Sequence, residues 1–208
     1  MTQNIDYIIF DLGGVIYDVD YHATIEELSQ IGGRDFSAFF SQTNQETLVD
    51  QFEEGKISEN DFFDALQDLC TSDCSREELK AAWNKMLLGF RQESIAFLKD
   101  LGKEMPIYLF SNNNVTHYKA IQEEVGESHL VAFNDLFIKT YYSHTFGKRK
   151  PHTGSFSALL ELEGLDASRG LFIDDSPQHL LGAETVGLYV KRIELGERIE
   201  NLLGYLIP

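Results

Sequence analysis

Three short apolar segments of the chain each end abruptly in polar residues, and patterns typical of helices separate them. The segments span residues 7–10, 106–110 and 171–173. Short apolar runs bounded by polar or glycine residues are typical of buried strands. Parallel strands need a crossover of a dozen or more residues, and the helical patterns provide that length. The sequence therefore predicts an α/β fold, in which helices cover both faces of a parallel sheet.

Residues 18–87 differ from the rest of the chain, because helical patterns dominate them and no convincing strand is visible there. Phe62 and Leu66 recur at helical spacing, and a second helical pattern runs past Trp83. Much of the acidic charge of the chain also lies in this segment, as expected for a solvated helical surface. Trp83 and the pair Phe39 and Phe40 are expected to fill the core of this segment.

The change of pattern predicts two domains. A core domain would consist of residues 1–17 and 88–208, and a small all-helical cap domain of residues 18–87 would be inserted into it. Because no low-complexity linker divides the chain, two short hinges are expected near residues 16–17 and 88–89.

Polar residues of different chemical kinds follow the three predicted strands. They are Asp11 after the first strand, Ser111 and Asn112 after the second, and Asp174 and Asp175 after the third. The carboxyl ends of parallel strands open on one edge of a sheet, where α/β proteins bind ligands. Lys150 lies in a loop before a further predicted helix and is expected at the same edge. A carboxylate nucleophile, polar donors, a cation and a carboxylate pair together indicate phosphoryl transfer at a metal ion.

The formal net charge of −17 over 208 residues argues against several classes of partner. It would repel nucleic acid and anionic membrane surfaces, although a local site can still bind a small phosphate. The sequence has no apolar run of bilayer length, and residues 1–4 lack the features of a secretion signal, so a cytoplasmic location is expected. Cys70 and Cys74 have neither disulfide-framework nor zinc-ligand spacing and are expected to be free.

Four motifs of this chain resemble those of the haloacid dehalogenase superfamily of hydrolases. They are FDLGGV with Asp11, YLFSNN with Ser111, GKRKP with Lys150 and LFIDDS with Asp174 and Asp175. The resemblance covers essentially the whole chain and implies a Rossmann-like core with a small helical cap. The chain is most similar to the branch whose first motif reads Asp-Leu-Gly-Gly or Asp-Leu-Gly-Asn, which includes bacterial sugar-phosphate phosphatases.

The resemblance implies a role for each motif residue. Asp11 would attack phosphorus and form an aspartyl-phosphate, with Ser111 and Lys150 completing the catalytic set. The implied Mg²⁺ ligands are Asp11, the backbone carbonyl of Gly13, Asp174 and Asp175. The implied substrate-binding groups are Leu12, Gly13, Ser111, Asn112 and Lys150.

One position departs from the common family pattern. Many family phosphatases carry a second Asp two residues after the nucleophile, which acts as general acid and base, whereas this chain has Gly13. General acid–base help is worth about 10²–10⁴-fold, so the enzyme would be slow, use a good leaving group or recruit another acid. The expected partner is a small phosphorylated metabolite, for example a sugar phosphate, and neither the substrate nor the oligomeric state follows from the sequence.

Two other functions stay open at this point. A metal-independent dehalogenase would use Asp11 to attack carbon, but the pair Asp174 and Asp175 favours a cation in the site. A catalytically impaired phosphate-binding module would have lost turnover together with the acid at position 13, although such a module has no use for a nucleophile.

Overall fold

The computed structural model describes residues 5–37 and 48–206, and its centre is a parallel sheet of five strands. The strands of the chain are β1 (Tyr7–Phe10), β2 (Tyr17–Val19), β3 (Leu87–Phe90), β4 (Ile107–Ser111), β5 (Lys139–Tyr142), β6 (Gly170–Asp174) and β7 (Tyr189–Arg192). The order across the sheet is β5-β4-β1-β6-β7, with all neighbours parallel. The predicted α/β fold with a Rossmann-like parallel sheet is confirmed.

The helices of the described residues fall into an inserted group and a group that packs on the sheet. The inserted helices are α1 (Tyr21–Gly32), α2 (Leu48–Glu53), α3 (Glu59–Asp68) and α4 (Arg76–Asn84). The remaining helices are α5 (Gln92–Glu104), α6 (Val115–Val125), α7 (Glu127–Asn134), α8 (Ser143–Phe146), α9 (Thr153–Glu163), α10 (Pro177–Thr185) and α11 (Ile199–Leu203).

The side chains of the central strand β1 point alternately to the two faces of the sheet and belong to two hydrophobic layers. Ile8 and Phe10 pack with α5, α6, α7 and α11 on one face of the sheet. Tyr7 and Ile9 pack with α9 and α10 on the other face. Successive side chains of a strand point to opposite faces, so a strand with four buried residues must be covered on both sides. This arrangement fixes β1 at the middle of the molecule and places its end, Asp11, at the centre of one sheet edge.

The inserted helices have a hydrophobic core of their own. Phe52 stacks on Phe62 with ring centroids 4.2 Å apart, and Trp83 lies 4.8 Å from Phe62. Trp83 is 2% exposed, in agreement with its expected core position. Phe39 and Phe40 lie outside the described residues. Helices α3 and α4 begin with capping boxes, and Asp20 caps α1 through hydrogen bonds from two backbone N–H groups.

The insert joins the sheet domain through a feature that the sequence did not predict. β2 and β3 pair as a two-stranded antiparallel ribbon, with Asp18 opposite Gly89, so strand residues occur within the segment 18–87. Strands this short contain too few residues to show an alternation of apolar and polar side chains. Their pairing also depends on contacts between residues that are about 70 positions apart in the chain. Arg91 anchors the ribbon, because it binds Asp18 at 2.7 Å and the carbonyl of Val15 at 2.8 Å.

Residues 136–142 have a strand-like apolar pattern in the sequence, but the strand that they form is shorter. β5 begins only at Lys139, since the backbone N–H of Leu136 bonds to Phe133 and continues the end of α7.

Cys70 and Cys74 are both free, as expected. Among the described residues, no helix is long and apolar enough to cross a membrane.

Candidate active site

Lys150 lies between the carboxylates that end two adjacent strands. Its Nζ is 2.8 Å from Oδ1 of Asp11 and 2.7 Å from Oδ2 of Asp174, and the lysine side chain is fully buried. The rings of Phe110 and Phe172 flank the ammonium group, with centroids 5.6 and 5.3 Å from Nζ. Three of the residues singled out in the sequence therefore meet at one buried point of the sheet edge.

The loop that carries Lys150 is locked to the end of β4 by Asn112. The Asn112 side chain accepts a hydrogen bond from the Lys150 backbone N–H and donates one to the Lys150 carbonyl, both at 2.9 Å. The Lys150–Pro151 peptide bond is cis. Ser111 is 2% exposed and lines the site beside Asn112. Asn112 thus positions the lysine through its side chain.

The loop after β1 brings Gly14 against Asp175, which follows β6. Gly14 has φ of +71°, and a Cβ atom there would lie 2.3 Å from Oδ2 of Asp175. Gly13 has room, because an added Cβ would lie 3.7 Å from the nearest atom, on Val19. Leu12 is buried in the core, so only its backbone is available to a substrate.

The charges at this point are unbalanced. Burial, followed by the charge of Asp174, raises the pKa of Asp11 well above its ordinary value, and Lys150 only partly opposes this. Burial and the neighbouring Asp174 raise the pKa of Asp175 to about 6. Burial alone would raise the pKa of Asp174, but Lys150 and His179 lower it. Burial would lower the pKa of Lys150, but the neighbouring carboxylates of Asp11 and Asp174 outweigh it. The pKa of Lys150 is therefore raised.

This donor set fits a divalent cation. Asp11 and Asp174 share Lys150, Asp175 adds a third carboxylate to the site, and carboxylate oxygens are the protein ligands that Mg²⁺ prefers. Atoms of Asp11, Asp174 and His179 lie within 4.8 Å of one another. His179, which the sequence did not predict, lies on the first turn of α10 with its Nδ1 3.0 Å from Oδ2 of Asp174. That contact suits a group that orients a metal-binding carboxylate. The five-residue spacing from Asp174 was the only signal in the sequence that could have indicated it.

A cleft of about 550 Å³ separates the site from the inserted helices. Asp11, Gly13 and Asp175 lie on its sheet side, and Tyr21, Asp50 and Glu53 on the insert side. Arg149 crosses the cleft and binds both Asp50 and Glu53, the latter at 2.9 Å between Nε and Oε2. No local pattern could have indicated these contacts, since about 100 residues separate the partners.

Further contacts hold the insert against α6. The Trp83 ring stacks on His117 with centroids 5.2 Å apart, and His117 Nε2 lies 3.0 Å from the Trp83 carbonyl. Glu59 accepts hydrogen bonds from Thr116 and Lys119 at 2.8 and 3.1 Å. The structure therefore describes the insert closed over the strand ends.

Comparison with known proteins gives a family and an activity for its relatives. Residues 5–187 match the family of haloacid dehalogenase-like hydrolases. The chain is 31% identical to a D-ribitol-5-phosphate phosphatase of Bacteroides thetaiotaomicron, over 86% of this chain and 89% of that protein. It is 26% identical to a sesquiterpene phosphatase of Aspergillus oryzae, over 86% and 85% of the two chains.

A solved structure is also similar over nearly the full length. It is a haloacid dehalogenase family enzyme of Bacteroides thetaiotaomicron, crystallised with magnesium and inorganic phosphate. The TM-score is 0.81 at 28% identity, with 95% of this chain and 98% of that chain covered.

Proposed function

Because this chain belongs to the haloacid dehalogenase-like hydrolase family, we propose that it is a Mg²⁺-dependent phosphatase of small phosphorylated metabolites. The family assignment confirms the resemblance that the four motifs indicated and makes the chain a hydrolase. Its similarity to a sugar-alcohol phosphate phosphatase and to an enzyme bound to magnesium and phosphate supports both the activity and the cofactor.

The observation that carries the proposal is the buried cluster of Asp11, Lys150 and Asp174. A nucleophilic carboxylate needs nearby positive charge, because an incoming phosphate would otherwise add to the repulsion among the acidic groups. Lys150 supplies one such charge from a position that Asn112 fixes. Mg²⁺, when bound, would supply the remaining positive charge that stabilises the phosphoryl oxygens.

The reaction divides hydrolysis into two displacements at phosphorus. An oxygen of Asp11 attacks and forms an aspartyl-phosphate while the alcohol leaves, and a water molecule then releases inorganic phosphate. Ser111, the backbone N–H of Asn112 and the ammonium group of Lys150 stabilise the phosphoryl oxygens. The groups that would hold Mg²⁺ are the carboxylates of Asp11, Asp174 and Asp175 and the carbonyl of Gly13.

The two alternatives fit the site less well. A dehalogenase has no need for Asp174 and Asp175 beside the nucleophile, since attack on carbon requires no cation. A phosphate-binding module would gain nothing from a carboxylate at position 11, which repels phosphate.

We assign the inserted segment 18–87 the role of a cap that closes over the substrate. Its own core, its two hinge strands and its ion pairs across the cleft support this division from residues 1–17 and 88–208. Specificity for the alcohol of the substrate then depends on the cap side of the cleft. The substrate class that we propose is a sugar or sugar-alcohol phosphate, and the cytoplasmic location stays a prediction of the sequence.

The decisive experiment is a screen of the purified protein against phosphorylated metabolites and an aryl phosphate, with Mg²⁺ and with EDTA. We expect phosphate release that requires Mg²⁺ and that Asp11→Asn abolishes. Turnover in EDTA, or unchanged phosphate release by Asp11→Asn, would contradict the assignment. Binding of phosphate without turnover of any substrate would favour the non-catalytic alternative.

A further inference from the structure

We propose that Glu53, on the cap helix α2, is the general acid and base that the sheet domain lacks at Gly13. This inference rests on the proposed phosphatase function. The first displacement expels an alkoxide unless a proton reaches the leaving oxygen, and Gly13 has no side chain to donate one.

The cavities of the structure indicate where a substitute group must lie. A second cavity of about 90 Å³ adjoins the main cleft beside Gly13. Four residues line both spaces: Gly13, Tyr21, Glu53 and Asn112. An added Cβ atom on Gly13 would face Val19, which also lines the smaller cavity. A side chain at position 13 would therefore project towards the smaller cavity, which Glu53 also lines.

Among the four residues that line both cavities, only Tyr21 and Glu53 have a titratable side chain that can donate a proton. A phenol has an ordinary pKa near 10, far above neutral pH. Tyr21 is thus a poor acid at neutral pH. Burial raises the pKa of Glu53, although Arg149 opposes the shift, and a raised pKa suits a carboxyl group that exchanges a proton with the leaving oxygen.

The other titratable groups of the site bind other partners or line only one of the two cavities. His179 binds Asp174 on the metal side. His117 lines the small cavity, but its ring nitrogens contact the Asn114 side chain and the Trp83 carbonyl, and burial lowers its pKa to about 4. Asp50 binds the same arginine as Glu53 but lines only the larger cleft.

The position of Glu53 is fixed from two sides. Arg149 donates to its Oε2 at 2.9 Å, which leaves Oε1 for a proton or a substrate oxygen. Two residues later, Gly55 has φ of +65°, and a Cβ there would lie 2.3 Å from the His144 carbonyl, so the end of α2 packs directly on α8. The acid reaches the site only when the cap is closed, because it belongs to the insert.

The proton balance of the two steps is complete. As Asp11 forms its bond to phosphorus and the bond from phosphorus to the leaving oxygen breaks, the Glu53 proton passes to that oxygen and the alcohol departs. The Glu53 carboxylate then takes a proton from the water that attacks phosphorus. Inorganic phosphate leaves, Asp11 is regenerated as a carboxylate, and Glu53 is protonated again.

The test compares leaving groups that do and do not need a proton. We expect Glu53→Gln, which preserves shape and can still accept a hydrogen bond from Arg149, to lower kcat for D-ribitol 5-phosphate by about 10²-fold or more. For p-nitrophenyl phosphate, whose leaving group is stable as an anion, the loss should be at least about tenfold smaller. Glu53→Asp keeps the carboxyl group but moves it away from the substrate, because the side chain is one methylene shorter. It should give an intermediate loss of kcat, again larger for the alkyl phosphate.

Asp50→Asn is the matched control, since it removes the other carboxylate of Arg149 and leaves the small cavity unchanged. Any loss in this variant should be equal for the two substrates. Equal losses on both substrates in Glu53→Gln, or the same selective loss in Asp50→Asn, would overturn the assignment of Glu53. If the wild-type protein hydrolyses neither these two substrates nor any other phosphorylated metabolite of the screen with Mg²⁺, the proposed function itself fails, which is a separate result.

Discussion

Gly13 and Gly14 follow the proposed nucleophile together but have opposite requirements. Gly14 adopts a positive φ and lies against Asp175, whereas Gly13 has an ordinary backbone and open space around its Cα. We expect Gly14→Ala to cost at least about 1 kcal/mol of unfolding free energy and to abolish Mg²⁺-dependent activity, because Asp175 must move. Gly13→Ala should change stability by less than about 0.5 kcal/mol. Urea unfolding of both variants tests this, and equal stability would contradict it.

Lys150 holds together two carboxylates that could not otherwise share this volume. We expect Lys150→Met to lose about 3–5 kcal/mol of stability in EDTA, because Asp11 and Asp174 lose their buried partner. Mg²⁺ should restore part of that loss, since it can neutralise the same oxygens. Lys148→Met, at an exposed position in the same loop, should change stability by less than about 0.5 kcal/mol. Similar stability of the two variants in EDTA would contradict this account.

At the residue scale, the sequence predicted the groups that end strands and missed those that act through long-range contacts. Asp11, Ser111 and Asp174 were identifiable because each follows a short apolar run, and the fold brings those runs to one edge. Glu53 and His179 carry no such signal. The position of Glu53 at the cleft follows only from the packing of α2 in the folded protein.

At the element scale, Arg149 connects the loop of the proposed catalytic lysine to helix α2 of the cap. Its partners Asp50 and Glu53 are largely buried, with side-chain exposures of 13% and 17%. Removing the arginine leaves the Asp50 carboxylate without its cation and Glu53 without its hydrogen-bond donor, and opening of the cap relieves that cost. We therefore expect Arg149→Met to raise the hydrogen-exchange rate of α2 by about tenfold or more and to raise KM.

Arg76→Met provides the control for this prediction, since Arg76 forms its ion pair with Asp64 inside the cap and nearer the solvent. Exchange in α2 should be unchanged in that variant. Protection of α2 that survives the loss of Arg149 would mean that the contacts of Trp83 and Glu59 with α6 suffice to keep the cap closed.

The elements that the sequence predicted well are long or uniformly apolar. β1, β4 and β6 are buried on both faces, so their apolar runs are continuous and visible. β2 and β3 consist of three and four residues and exist only because they pair with each other. The start of β5 was misplaced because Leu136 and Phe137 are apolar core residues of a turn rather than of a strand.

For the molecule as a whole, the surplus of acidic groups at the site couples stability to pH and to Mg²⁺. The pKa of Asp175 is raised to about 6, so the folded protein binds a proton that the unfolded chain has released. This contribution to stability is present below about pH 4 and is lost as the pH rises through 6. In EDTA at pH 7.5 we expect Asp175→Asn to be more stable than wild type by about 1–3 kcal/mol.

Mg²⁺ should reverse the order of the two proteins at pH 7.5, because it binds the deprotonated carboxylates of the wild type. The increase of Tm with Mg²⁺ should also be greater at pH 7.5 than at pH 5, when Asp175 is largely protonated. Thermal unfolding of both proteins, with and without the metal, tests this. Equal Tm values in EDTA would contradict the raised pKa of Asp175.

The ribbon of β2 and β3 has a consequence for how such enzymes diversify. The chain leaves the sheet domain at Val19 and returns at Leu87, and these residues face each other across the ribbon. Any folded segment whose ends lie one strand spacing apart can therefore be grafted at this junction without disturbing the parallel sheet. Recognition of the alcohol can change by exchange of a whole module, while the nucleophile and the metal-binding carboxylates remain on the sheet; the proton donor proposed at Glu53 is then exchanged together with the module.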